Sequence, residues 1–394
     1  MAWIEIDLDA VARNFRAIGS MAQGQAVMPV VKAEAYGHGM VPVARALEAA
    51  GAATLCVATL DEAIALRTAG LTGEILVLYP IPPAGVIDAV QHRLTVVGGG
   101  PSVVAATLAA AADADVAGRL SIELEVETGL GRGGATPEEV VEVAAAIVAA
   151  GARLSGVWTH LQETEVEPIT AEQVRRFDAA LGALAAAGIA VERRHLAASA
   201  AILLGSVPRY DAVRPGLITY GLIPDELTDA GYDEASFAAG ADRIRPALAL
   251  KARPVRVADL PAGHGVSYGP TWRAGRPSRI ATLPLGYGDG WPRALSNRCQ
   301  VLVRGVRVPT VGNVAMDATM IDVTDLPGRP VDTDDEVVLI GRQGDAEITA
   351  AEVARWRNTN SWEVVTAMSG RLTRVYDAPA GPPGSRAFPP QETR

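Results

Sequence analysis

The sequence predicts a (β/α)8 barrel followed by an all-β domain, an α/β chain of two unlike parts. Three observations predict it. Eight short apolar runs alternate with alanine-rich helical patterns across the first 240 residues. From about Arg243 that texture gives way to Val- and Ile-rich runs joined by Gly and Pro. The chain of 394 residues is long enough for two domains and a large core.

An alternating strand comes first, over residues 2–9 with Trp3, Ile4, Ile6 and Leu8 in register, and it is assigned to the β domain. A helix follows from about Val11. The eight barrel runs begin at Ala26 (AVMPVVK), Thr54 (TLCVAT), Ile75 (ILVLYP), Leu94 (LTVVG), Leu120 (LSIELEVETG), Leu154 (LSGVWTHL), Arg193 (RRHLAAS) and Ala212 (AVRPGLITYG). Intervening patterns such as MVPVARALEAAG and PEEVVEVAAAIVAAG close on Gly, as helices often do. The barrel domain is drawn as 1–240 and the β domain as 241–378, with one late helix at TAAEVARWRN. The Pro-rich tail, 379–394, reads as disordered. No repeat of 20–50 residues is present.

A formal net charge of -10 argues against nucleic acid and anionic membrane surfaces as partners. Cys56 and Cys299 are too few and too far apart for a disulfide framework or a zinc site, and no metal is expected. MAWIEIDLDA lacks the apolar core of a signal peptide, and no run approaches 18 apolar residues. A cytoplasmic protein is the expectation.

Barrel active sites gather at the C-terminal ends of strands. The first run ends on Lys32, and the fifth leads into ETGLGRGG with Arg132. The sixth ends on His160, the seventh carries His195 and Ser199, and the eighth carries Arg214 and Gly216. A lone strand-end lysine is most often a solvated charge. One crowded by other cations and partly desolvated loses proton affinity and becomes a nucleophile. Amine chemistry of that kind suits pyridoxal phosphate, whose phosphate RPGLITYG and Ser199 could cradle. Tyr36 alone would be a packing residue, Arg132 a surface charge and Arg214 a strand-end salt bridge. His38 reads as structural, and His195 as a satisfied core histidine.

VVKAEAYGHG, ETGLGRGG, VRPGLITYG, GVSYGPTW, PLGYGDGWPRALSN and VGNVAMDATMIDVTD, in that order, resemble the alanine racemase family over nearly the whole chain. The resemblance implies a fold-type III pyridoxal 5'-phosphate enzyme, a homodimer with shared active sites. It implies that Lys32 binds the cofactor and is one base, and that Tyr268 of the partner subunit is the other. Arg214 would face the pyridine nitrogen. Tyr36, Ser199, Gly216, Leu217 and Trp362 would surround the phosphate. Arg132 and the Met316 backbone would receive the substrate carboxylate. His160 would contact Tyr268 and Arg214, and Tyr287 and Arg293 would line the entrance. D-alanine for peptidoglycan is the implied product.

Four positions depart from the family pattern. Glu125 stands where members usually carry a lysine, often carbamylated, so a glutamate supplies the negative charge beside Arg132 directly. Ala315 replaces a common Cys, Trp362 a Tyr and Ala198 an Asn. These put the substrate in question more than the reaction. The alternatives are a racemase of another small amino acid in secondary metabolism, a decarboxylase of the same architecture, and a non-catalytic cofactor-binding protein.

Overall fold

The structure, a computed structural model, describes residues 1–232 and 244–376. The expected boundary at 240/241 and the expected disordered tail from 379 lie outside the described residues.

Strand β1 (Ala2–Ile6) is shorter than the sequence suggests, and the first helix spans Leu8–Ala22 rather than starting near Val11. Asp7 sets that boundary. Its carboxylate accepts from the backbone N–H of Ala10 at 2.5 Å, an N-cap that commits Leu8 to the helix.

Eight parallel strands form the barrel wall: β2 (Ala26–Val27), β3 (Thr54–Val57), β4 (Glu74–Val77), β5 (Thr95–Gly98), β6 (Ser121–Glu125), β7 (Arg153–Trp158), β8 (Arg194–His195) and β9 (Ala212–Val213). Their order is β2-β9-β8-β7-β6-β5-β4-β3, and a parallel bridge between Val30 and Cys56 joins the two ends of that row. Most runs are shorter than expected, and for two of them the sequence shows why. Pro29 removes a ladder donor after β2, so Lys32 does not end a strand. Pro215 and Gly216 break the run after β9, and Leu217–Tyr220 coil into a 3-10 turn.

Along β6, Ile122 and Leu124 share one face, and Glu123 and Glu125 the other; all four are buried. The apolar pair suits the helix-covered outer face. The carboxylates stand in the barrel interior, where Glu123 meets His195 and Arg193.

The second domain holds a sheet in the order Val306–Pro309, Gln300–Val303, Val337–Gln343, Leu248–Ala252, β1, Thr373–Tyr376. The first strand of the chain thus lies between two strands of the last domain, antiparallel to Leu248–Ala252 and parallel to Thr373–Tyr376. A three-stranded sheet and a small hairpin, Gly265–Val266 with Trp272–Arg273, complete it. Two late helices stand where one was expected, Ala350–Arg357 and Ser361–Thr366. Asn358, in the left-handed region at φ 59°, ends the first, and Asn360 caps the second. Among the described residues no helix is long and apolar enough to cross a membrane.

Candidate active site

Lys32 opens an unusual turn. Ala33, Glu34, Ala35 and Tyr36 all take left-handed backbone angles, with φ between 51° and 54°. Left-handed residues other than glycine each cost roughly 1–2 kcal/mol, so the surroundings must hold this turn. Part of the answer is the Gly-His-Gly sequence after it. A side chain on Gly37 would overlap the Val365 carbonyl, and one on Gly39 the Tyr376 hydroxyl. The turn therefore nests directly against the second domain, beside the helix that carries Trp362. Arg374 fastens it by donating to the Gly37 carbonyl at 2.8 Å.

Lys32, Tyr36, Arg132, His160, Ser199, Arg214, Gly216, Leu217 and Trp362 line one cavity of about 340 Å³. Burial, and then the charges of Arg132 and Arg214, hold the Lys32 amine below its ordinary value. At one end, the Ser199 hydroxyl accepts from the Gly216 N–H at 3.0 Å. A Cβ on Gly216 would stand 2.6 Å from the Tyr36 hydroxyl, so glycine keeps this corner open. Two hydroxyls and a turn of backbone around an open corner fit a phosphate.

Arg214 is buried and crosses the cavity floor. It donates to the Thr159 carbonyl at 2.8 Å, lies 3.4 Å from His160 Nδ1, and stacks over Trp158 with its carbon 4.6 Å from the ring centre. It also donates to His195 Nδ1. That nitrogen is then the acceptor, and His195 Nε2 carries the hydrogen that goes to Glu123 at 2.8 Å. Burial holds His195 down at about 4, so the ring is neutral and free to accept. Burial lowers Arg214 to about 10, which leaves it a cation. His195 is a core histidine, as expected, but it is also the anchor of Arg214. Glu123 and Arg193, which sequence reasoning passed over, extend the chain. Arg193 donates to Glu123 at 2.9 Å and to Glu74 at 2.8 Å.

Arg132 donates to Glu125 at 3.2 Å and lies over the Tyr79 ring at 5.6 Å. Glu125 is not a solvated strand-end charge: its side chain is 9% exposed. Glu127, also unforeseen, accepts from the backbone N–H groups of Gly129 at 2.5 Å, Gly131 at 2.9 Å and Arg132 at 3.1 Å. It organises the loop that presents Arg132. Its place two residues beyond Glu125, opening a Gly-rich loop, was the available signal.

Tyr268 and Met316 are not brought to this cavity. Tyr268 is 81% exposed and Met316 53%, both on the second domain. His160 lines the cavity, and the Tyr268 of its own chain does not. Tyr268 is nevertheless held. Ser267, at φ 66°, donates to the Asn313 carbonyl at 2.6 Å, and the Asn313 amide donates to the Tyr268 carbonyl at 2.8 Å.

Residues 6–224 match the family described as alanine racemase, N-terminal domain, and residues 247–376 match alanine racemase, C-terminal domain. An alanine racemase of Symbiobacterium thermophilum is 42% identical over 380 residues, covering 95% of this chain and 96% of the relative. The crystal structure of alanine racemase from D-cycloserine producing Streptomyces lavendulae superposes with a TM-score of 0.86 at 37% identity, covering 96% of this chain and 97% of that one. The alanine racemase of Bartonella henselae, solved with covalently bound pyridoxal phosphate, superposes with a TM-score of 0.82 at 27% identity, covering 95% and 99%.

Proposed function

The chain belongs to the alanine racemase family and is an amino-acid racemase, and from that premise we propose that it interconverts L- and D-alanine with two bases, Lys32 and the Tyr268 of a partner subunit. The observation that carries this reading is the convergence of Lys32, Arg132, His160 and Arg214 on one cavity that ends in the open Tyr36–Ser199–Gly216 corner.

Pyridoxal 5'-phosphate fits that cavity. Lys32 would hold it through its amine, Tyr36, Ser199, Gly216 and Leu217 would hold the phosphate, Arg214 would serve the pyridine ring, and Trp362 would close one side. When bound, the cofactor supplies an aldehyde for amine attachment and a ring that accepts electron density from the substrate Cα. Arg132 receives the substrate carboxylate with the Met316 backbone of the partner subunit, and Glu125 steadies Arg132. Inversion needs one acid/base on each face of Cα. The lowered Lys32 amine is suited to take a proton on one face. Tyr268 serves the other, and His160 beside Arg214 tunes it in the shared site. The exposure of Tyr268 and Met316 supports a homodimer, since neither reaches its own barrel's cavity. Residues 1–240, apart from the N-terminal strand that joins the β domain, act as the cofactor domain, and 241–378 as the domain lent to the partner. The enzyme works in the cytoplasm and feeds peptidoglycan synthesis.

A second reading, a racemase of another small amino acid, is favoured by Trp362 and Ala198, both lining the cavity and both departing from the family pattern. The test is chiral chromatography of single amino acids after incubation with purified protein and pyridoxal phosphate. Formation of D-alanine from L-alanine, faster than inversion of serine, valine or 2-aminobutyrate, supports alanine. Preference for another amino acid selects the second reading, and release of carbon dioxide without inversion sinks both.

A further inference from the structure

Something must hold the left-handed turn that begins after Lys32, and the glycines after Tyr36 account for only its far end. At its near end stands Glu62, from the helix Leu60–Thr68. One oxygen of its carboxylate, Oε1, accepts from the Ala33 N–H at 2.7 Å, the first left-handed residue and the neighbour of Lys32. The other, Oε2, accepts from the Ala58 N–H at 2.8 Å and the Thr59 N–H at 3.2 Å, in the loop after β3.

A capping box explains half of this. The Glu62 N–H donates to the Thr59 hydroxyl at 3.3 Å and the Glu62 side chain returns to the Thr59 N–H, as helix starts often do. That box needs one oxygen. The second oxygen reaches a peptide 29 residues away, which no cap requires. An ionised acceptor makes such bonds shorter and stronger than a neutral one.

We propose that Glu62 is a positioning residue for Lys32: its carboxylate ties the first peptide of the left-handed turn to the loop after β3 and so fixes the direction in which the lysine leaves the backbone. The inference rests on the reading that Lys32 carries the cofactor. A glutamine cannot do the same work. Its oxygen satisfies one of the two loops, and its amide group then faces N–H donors at the other. The local cap keeps the oxygen, and the Lys32 turn is released. Glu62 also adds its negative charge to the setting of Lys32, which otherwise contains Arg132, Arg214, His160, Cys56, Tyr36, Tyr79 and, on the same cavity, Glu226. Removing that charge favours the neutral amine.

The two effects separate in one experiment on the full chain. Cofactor-free protein is mixed with pyridoxal phosphate, attachment is followed by absorbance from pH 6 to 10, and the product is fixed with borohydride and mapped by peptide mass. Wild type and the control Asp61→Asn attach on Lys32 with the same profile. Glu62→Gln shows an alkaline plateau rate lowered roughly 10-fold or more and a midpoint moved to lower pH. Glu62→Ala shows the same pattern. Unchanged plateau and midpoint in Glu62→Gln overturn the inference, even if its melting temperature falls, because Glu62 is then only a helix cap. Absence of label on Lys32 in the wild type overturns instead the reading on which the inference rests.

Discussion

Arg132 and Glu125 face each other at 3.2 Å across the Gly-rich loop, and Glu125 is the more buried partner. Burial raises the Glu125 carboxyl and the Arg132 charge opposes that rise. The pair gives the cavity a fixed cation without any lysine modification.

Glu125→Gln keeps the shape and removes the charge. KM for alanine is expected to rise roughly 10-fold, the scale of one charged hydrogen bond partly open to water, while cofactor affinity stays near wild type. Wild-type activity should not respond to added bicarbonate. Steady-state kinetics with and without bicarbonate check both, and an unchanged KM makes Glu125 a spectator.

Gly216→Ala probes the open corner. Gly216 has a negative φ of -102°, and the contact its Cβ would make is the expected source of the effect. A methyl 2.6 Å from the Tyr36 hydroxyl should weaken cofactor binding by roughly 10- to 100-fold, as overpacking does. Titration with pyridoxal phosphate measures it. Wild-type affinity would mean that the phosphate sits elsewhere.

Tyr268→Phe should lower kcat on the order of 100- to 10,000-fold, the usual worth of one acid/base group. Mixing it with Lys32→Ala should restore part of the activity, since some hybrid dimers hold one intact pair. Demonstrated subunit exchange without recovery places both bases in one chain.

Acid should destabilise the fold before it protonates surface carboxylates. Burial holds His38 and His195 at about 4 and His160 at about 3, against an ordinary 6.5. The unfolded chain therefore binds protons first as pH falls. The stability these rings contribute is complete above about pH 6.5 and is lost progressively toward pH 4 for His38 and His195 and toward pH 3 for His160. Glu123, despite its burial, is held at about 2 by His195 and Arg193 and adds a further loss below about pH 4.5. Glu125 and Glu226, raised by burial, oppose this with two groups. The melting temperature should fall on the order of 5 °C between pH 7 and pH 5. A flat profile over that range contradicts the assignment.

The barrel was legible because its strands and helices differ in period and in punctuation, and the second domain because Val and Ile runs replaced alanine. The turn after Lys32 was not. Ala-Glu-Ala-Tyr is a good helix former, and propensity says nothing about hand; only Gly37 and Gly39 hinted at a tight fit. Glu123 was hidden for another reason. In a half-exposed strand the apolar face of Ile122 and Leu124 would point inward and the glutamates outward. In a barrel wrapped by helices the assignment inverts, and the glutamates enter the interior. His195 was read as buried, but its bond to Arg214 depends on two strands that only the barrel brings side by side. Of the residues named from motifs, Lys32, Tyr36, Arg132, His160, Ser199, Arg214, Gly216 and Leu217 line one cavity with Trp362, while Tyr268 and Met316 stand outside it; Glu62, Glu123 and Glu127, which act through neighbours, were passed over.

The place of β1 inside the last domain's sheet has a consequence for biosynthesis. Ile6 pairs with Leu248, which leaves the ribosome 242 residues later. At about 5–20 residues per second, the first strand waits roughly 12 to 48 seconds for that partner. It waits longer still for Thr373–Tyr376. During that interval Trp3, Ile4 and Ile6 form an unpaired apolar edge on a nascent chain, the kind of surface chaperones guard. Expression of the barrel alone, cut near residue 240, would make that temporary exposure permanent. Such a fragment should aggregate unless the first six residues are removed with the second domain.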